Sequence, residues 1–214
     1  MYLTESEQEA KWTSLWTSTG ATGEPQPPYL DLRRRYAEPQ RRYHTWKHVA
    51  DGLAELESVA HLAEDPAAIK FAYYFHDAIY DTQVPDSQNV DKSAELAVTV
   101  LEQAQLPSVL VKKTSNLIIV TKHTTPPVGI DAQLIVDIDF STLGKSAAVF
   151  DEYERGVRAE YSWVEEQTFR STRAGILERF LKRPQIFNTP YFVDRYEAQA
   201  RKNLEKSINQ LRSL

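Results

Sequence analysis

Apolar positions along the chain recur at helical spacing, in stretches separated by proline-bearing breaks, and strand-like alternation is nearly absent. Thr4-Glu5-Ser6-Glu7 has the form of a capping box and predicts a first helix with Trp12, Leu15 and Trp16 on one side. Gly20 to Pro28 holds Gly20, Gly23, Pro25, Pro27 and Pro28 and predicts a loop, followed by a short helix from Leu30 to Ala37 that stops near Pro39. Val49, Leu53, Leu56 and Ala60 predict a helix from Thr45 to Ala63. Asp65-Pro66 opens the next, with Pro in the first turn, running through Ile69, Ala72, Tyr73 and His76. Asp86 to Gln105 is a further helix with Ala94, Ala97, Val98 and Leu101 inward. Pro107 opens another that reaches Lys122, and Pro126-Pro127 breaks the chain again.

Ala132 to Leu143 is apolar enough for a buried strand or a helix, and its helical neighbours favour a helix. Lys145 to Lys182 reads as one long helix, kinked near Gly156 or Gly175. The last helix is the plainest, with Phe192, Tyr196, Ala200, Leu204 and Ile208 every four residues. The pattern predicts an all-α, multi-helix bundle in a single domain over residues 1–214. Its core would span residues 42–203, with helices in residues 4–37 packed on it.

Composition narrows the picture. Only 7 glycines argue against an α/β fold built on glycine-rich phosphate loops. The net charge of -5 provides no broad field for a nucleic-acid backbone, so general nucleic-acid binding is disfavoured. The local clusters Arg33-Arg34-Arg35 and Arg41-Arg42 could still meet a small anion. With no cysteine, a metal site would have to be built from His and carboxylates. The sequence from Met1 to Glu5 shows no secretory pattern, and the run Leu117-Ile118-Ile119-Val120 is far too short to span a bilayer. The expectation is a cytoplasmic protein without membrane attachment; a homo-oligomer is compatible with the sequence.

The chemistry lies in a few histidines and acids. His44 and His48 are four apart, which on a helix places both imidazoles on one face, roughly 6 Å apart at Cβ. His76-Asp77 follows the apolar run Phe71-Ala72-Tyr73-Tyr74-Phe75, and Asp137 and Asp139 sit inside Leu134-Ile135-Val136-Asp137-Ile138-Asp139-Phe140. An acid in such surroundings is costly to bury unless it binds a cation or several donors. Singly, each residue has a packing explanation: a core His, a helix-capping Asp, acids flanking a turn. Together, one metal site accounts for several of them, and imidazoles with carboxylates suit Mn²⁺, Mg²⁺, Fe²⁺, Ni²⁺ or Zn²⁺.

The stretches Arg42-Tyr43-His44-Thr45-Trp46-Lys47-His48, Phe75-His76-Asp77-Ala78-Ile79-Tyr80-Asp81, Asn89 to Ala97, Thr121-Lys122-His123 and Asp137-Ile138-Asp139-Phe140-Ser141-Thr142-Leu143-Gly144 carry a resemblance. The chain resembles the HD superfamily of metal-dependent phosphohydrolases, most closely a bacterial branch of it, from about Arg42 to Asn203. That family shows an isolated His, then a His-Asp doublet, then a distant Asp, each on a later helix. The resemblance implies His48, His76, Asp77 and Asp139 as metal ligands, with Asp137 an alternative to Asp139. Asp91 stands where relatives carry glutamate, and Phe140 where they carry leucine.

The resemblance implies a divalent-metal cofactor and a small phosphorylated substrate such as a nucleotide. Asp77 would both hold the metal and orient a water, with His44 and His123 as further catalytic residues, binding a second metal or donating to phosphate. Arg42, Lys47 and Lys122 would clamp phosphate, although each alone also reads as a solvated helix face. Two other activities share these residues: a cyclic or linear dinucleotide phosphodiesterase, and a regulatory binding module without turnover.

Overall fold

The structure is a computed structural model and describes residues 3–213. The regular secondary structure among those residues is entirely helical, with no β-strand. The chain divides into two compact units, residues 1–135 and 136–214, and the helix Ile130–Phe140 carries the division.

The first unit holds α1 (Glu5–Ser18), α2 (Gln26–Arg35), α3 (Trp46–Val59), α4 (Pro66–Phe75), α5 (Asp86–Gln103), α6 (Ser108–Val120) and the start of α7 (Ile130–Phe140). The capping box forms, with the Glu7 amide donating to Thr4 Oγ1 and the Thr4 amide donating to Glu7. Pro27 and Pro28 fall inside α2, not in a loop before it. They sit in its first turn, where the missing N–H groups would have had no intrahelical partner. Asp65 caps α4 by accepting from the Ala68 amide at 3.0 Å. Ala68, Ile69 and every residue from Phe71 to Phe75 are buried, as expected of a helix apolar all round. Accordingly α3, α5 and α6 all pack on α4. Trp12 is fully buried among Trp16, Tyr29, Phe71, Tyr74 and Phe75, and its indole N–H donates to the Pro25 carbonyl. Buried Asp131 accepts from the Glu64 and Asp65 amides and from Lys113 Nζ, tying α7 to α6 and to the turn before α4.

The second unit continues α7 from Val136 through a 3-10 turn (Ser141–Gly144) into α8 (Ala147–Glu160), α9 (Glu166–Leu181), α10 (Pro190–Phe192), a π turn (Val193–Glu197) and α11 (Ala198–Arg212). The single helix expected over Lys145 to Lys182 is two helices, and the break avoids both glycines. It falls at residues 161–165, where Glu165 caps α9 by accepting from the Gln167 and Thr168 amides. Arg158 takes up the Tyr161 and Val164 carbonyls that the break releases. Phe192, Tyr196, Ala200 and Leu204 are all buried, so the four-residue spacing holds through the π turn. Gly144 is needed against that turn: a Cβ there would lie 2.4 Å from the Tyr196 Cβ and 2.7 Å from its carbonyl oxygen. No helix among the described residues is long and apolar enough to cross a membrane.

Candidate metal centre

His48 lies in the first turn of α3, His76 caps the C-terminus of α4, and Asp77 follows in the turn. Both rings are buried, and the Asp77 side chain is 15% exposed. One atom of each residue meets the others: Nε2 of His48 lies 3.1 Å from Nε2 of His76, which lies 3.1 Å from Oδ2 of Asp77. The third side, from His48 Nε2 to Asp77 Oδ2, is 3.7 Å. His76 Nδ1 donates to the Tyr73 carbonyl at 2.9 Å, which leaves the lone pair on Nε2 facing the group. A lone pair and a carboxylate oxygen at this distance repel unless a proton or a cation sits among them.

A metal ion fits these atoms. From the three sides the circumradius is about 1.9 Å, so a point ~2.0–2.2 Å from all three atoms, the usual bond length of imidazole and carboxylate to zinc, lies just off their plane. Among the described residues, His48, His76 and Asp77 form the one group of three or more ligating side chains disposed to hold a metal ion. Where a proton and not a cation sits among these atoms, His76 supplies a charge and a hydrogen bond that, together with His44 and His48, outweigh burial and hold the Asp77 carboxyl well below the ordinary carboxylate range.

The rings are held by aromatic packing. Tyr73 lies against His76 at 4.6 Å and against His48 at 5.7 Å between ring centroids. Tyr73 can occupy that place because Gly52 of α3 has no side chain; a Cβ would fall 2.0 Å from the tyrosine Cζ. His44 is not on the helix with His48, as the spacing suggested. It occupies the turn before Thr45, the N-cap of α3, yet its ring still lies 5.9 Å from that of His48 and 4.3 Å from that of Tyr80.

His123 follows α6 in the left-handed region at φ 54°, its amide donating to the Val120 carbonyl at 3.1 Å. That conformation favours Gly or Asn and costs of order 1 kcal/mol in other residues. Neither His44 nor His123 belongs to the three-residue group. Lys122 is 2.5 Å from Asp91, so this short carboxylate meets a lysine. Lys47 pairs with Asp51 one turn on, as a solvated helix face does. Arg42 is exposed, and its guanidinium donates to the Pro39 and Arg41 carbonyls.

Asp137 and Asp139 lie in the second unit, in different surroundings, and neither belongs to the three-residue group. Asp137 is fully buried, and its two oxygens accept four hydrogen bonds, from the amide and side-chain nitrogen of Asn188 and the amide and hydroxyl of Thr189, all at 2.7–2.8 Å. Burial nonetheless outweighs those donors and raises its pKa. Asp139 is half-buried, and its charge reaches Tyr153, whose phenol is pushed up chiefly by burial.

Sequence reasoning missed Arg41. Its position beside Arg42 suggests a side chain available to an anion, but that side chain is wholly buried and engaged with backbone. Nothing in the local sequence separates it from Arg42; only the fold does. No family model, no curated protein and no solved structure matches this chain.

Proposed function

We propose that this chain is a metal-dependent phosphohydrolase of the HD superfamily, cleaving a phosphate ester or anhydride of a small molecule such as a nucleotide. The observation that carries the reading is the buried triangle of His48 Nε2, His76 Nε2 and Asp77 Oδ2, whose size suits a divalent ion. A divalent ion held there would supply Lewis-acid polarisation of a phosphoryl oxygen and ionisation of water near neutral pH. Asp77 stays ionised beside its imidazoles, so it can hold the ion and orient a water by accepting its hydrogen bond. His44, its ring 5.9 Å from that of His48, would donate to a phosphate oxygen, and this closeness supports the assignment. His123 and Lys122 at the end of α6, with Arg42 and Lys47, complete the proposed phosphate-facing set. The motif order proposes Asp139 as the fourth ligand, and the four donors saturating Asp137 argue against the alternative.

The test is metal analysis of the purified chain with a hydrolysis screen over nucleoside mono-, di- and triphosphates, dinucleotides and generic phosphoesters. The expected result is metal-dependent release of phosphate or pyrophosphate from a nucleotide, abolished by chelator and by Asp77→Ala. Turnover of dinucleotides alone would make it a phosphodiesterase, and bound metal without turnover a regulatory module. A chain that holds no divalent ion would end the proposal.

A further inference from the structure

The His76-Asp77 doublet sits just beyond the last turn of α4, where carbonyls lose their helical partners and a chain end frays. A metal site whose ligands ride on such a turn needs something to fix the backbone beneath them. We infer that Arg41 is the positioning residue of this site, a buried guanidinium that locks the backbone of Asp77 and of His44 together. The inference rests on the metal reading proposed above.

The geometry is specific. Arg41 Nη1 donates to the Asp77 carbonyl at 2.8 Å and to the His44 carbonyl at 3.0 Å, and Nη2 donates to the Ala78 carbonyl at 3.1 Å. Its Nε donates to Glu38 at 3.1 Å, which balances the buried charge. The guanidinium plane lies between two rings, 5.0 Å from the centre of Tyr36 and 5.2 Å from that of Tyr80. Tyr36 completes the grip: its hydroxyl accepts from the Asp77 amide at 3.3 Å and donates to the Tyr74 carbonyl at 3.1 Å. The Asp77 peptide is thus held at its N–H by Tyr36 and at its C=O by Arg41. A cation at a helix C-terminus is also favoured by the helix dipole. Lysine cannot replace this fork, because one ammonium cannot present donors in a plane to three carbonyls and a carboxylate.

The test uses Co²⁺, whose visible absorption reports the ligands and geometry of its site, bound to the full chain. The variants are Arg41→Lys and Tyr36→Phe. Val59→Ala, a buried change elsewhere on α3, controls for loss of stability. Arg41→Lys is expected to weaken Co²⁺ binding by about 10–100-fold and alter the absorption envelope, as loss of a ligand-orienting partner does. Tyr36→Phe, which keeps the ring and loses the hydroxyl, is expected to weaken binding less and in the same direction. Val59→Ala lowers the melting temperature and leaves the spectrum and affinity unchanged. Should Arg41→Lys fail to fold, Tyr36→Phe carries the test. Parental affinity and spectrum in the folded variants, or losses matched by Val59→Ala, overturn the inference while leaving the metal reading intact. A parent chain that binds no Co²⁺ overturns the metal reading itself, and this inference with it.

Discussion

Two aspartates, Asp77 in the first unit and the fully buried Asp137 in the second, follow similarly apolar runs of sequence and are treated in opposite ways. Asp137 receives four neutral donors from Asn188 and Thr189, which leave no direction open for a cation. Asp77 faces imidazole nitrogens instead, and its Oδ2 closes a triangle with Nε2 of His48 and Nε2 of His76. A buried carboxylate saturated by amides and hydroxyls ties loops together. One faced by ring nitrogens can hold a cation with them.

The contrast sets the expected order of effects. Asp77→Asn keeps the shape and removes the charge, and should weaken divalent-ion binding at least ~1000-fold, about 4 kcal/mol, while leaving far-UV circular dichroism unchanged. Titration calorimetry would check this, and binding within tenfold of the parent would dissolve the contrast. Asp137→Ala should do the reverse. Stranding four donors costs about 3–4 kcal/mol of stability by urea unfolding, with the metal-to-protein ratio retained; a stable variant that loses its metal would make Asp137 a ligand after all.

Gly52→Ala acts one step from the site. The added methyl collides with the Tyr73 ring, so helix propensity gained is outweighed by overpacking, for a net loss of about 1–2 kcal/mol. Because Tyr73 packs against both histidine rings, metal affinity should fall as well. Unaltered affinity would show that the ring is not a support.

The smallest effect belongs to the cap at Glu165, which is fully exposed. The Gln167 and Thr168 amides lower its pKa. A carboxylate whose folded pKa is depressed adds stability above its unfolded value, and that contribution disappears as pH falls through the folded value. Melting temperatures taken between about pH 5 and pH 3 should therefore drop less steeply in Glu165→Gln than in the parent. Parallel curves would remove the cap from the account.

Much of the helical fold was legible because proline, capping residues and four-residue spacing act locally. Thr4-Glu5-Ser6-Glu7 and Asp65-Pro66 mark their helices directly. Boundaries were lost where local signals mislead. Pro27 and Pro28 look like breakers but fit a first turn, and Gly156 and Gly175 lie inside helices while Glu165 and Arg158 make the real break. In the candidate site, His48, His76 and Asp77 could be named from order and apolar setting, and the structure brings them together. The grip of Arg41 and Tyr36 on the Asp77 backbone could not be named, because it depends on carbonyls and amides that every residue possesses. The separation of Asp137 from Asp139 likewise waited on the loop at Asn188 and Thr189, some fifty positions away in the chain.

The central claim is that His48, His76 and Asp77 hold a divalent ion. The most direct measurement is elemental analysis after equilibrium dialysis of the parent chain and of His76→Ala against the same limiting Mn²⁺ or Zn²⁺. The account predicts at least one tightly held ion per parent chain and the loss of that ion in His76→Ala. A parent without an ion, or equal metal content in both proteins, would contradict it.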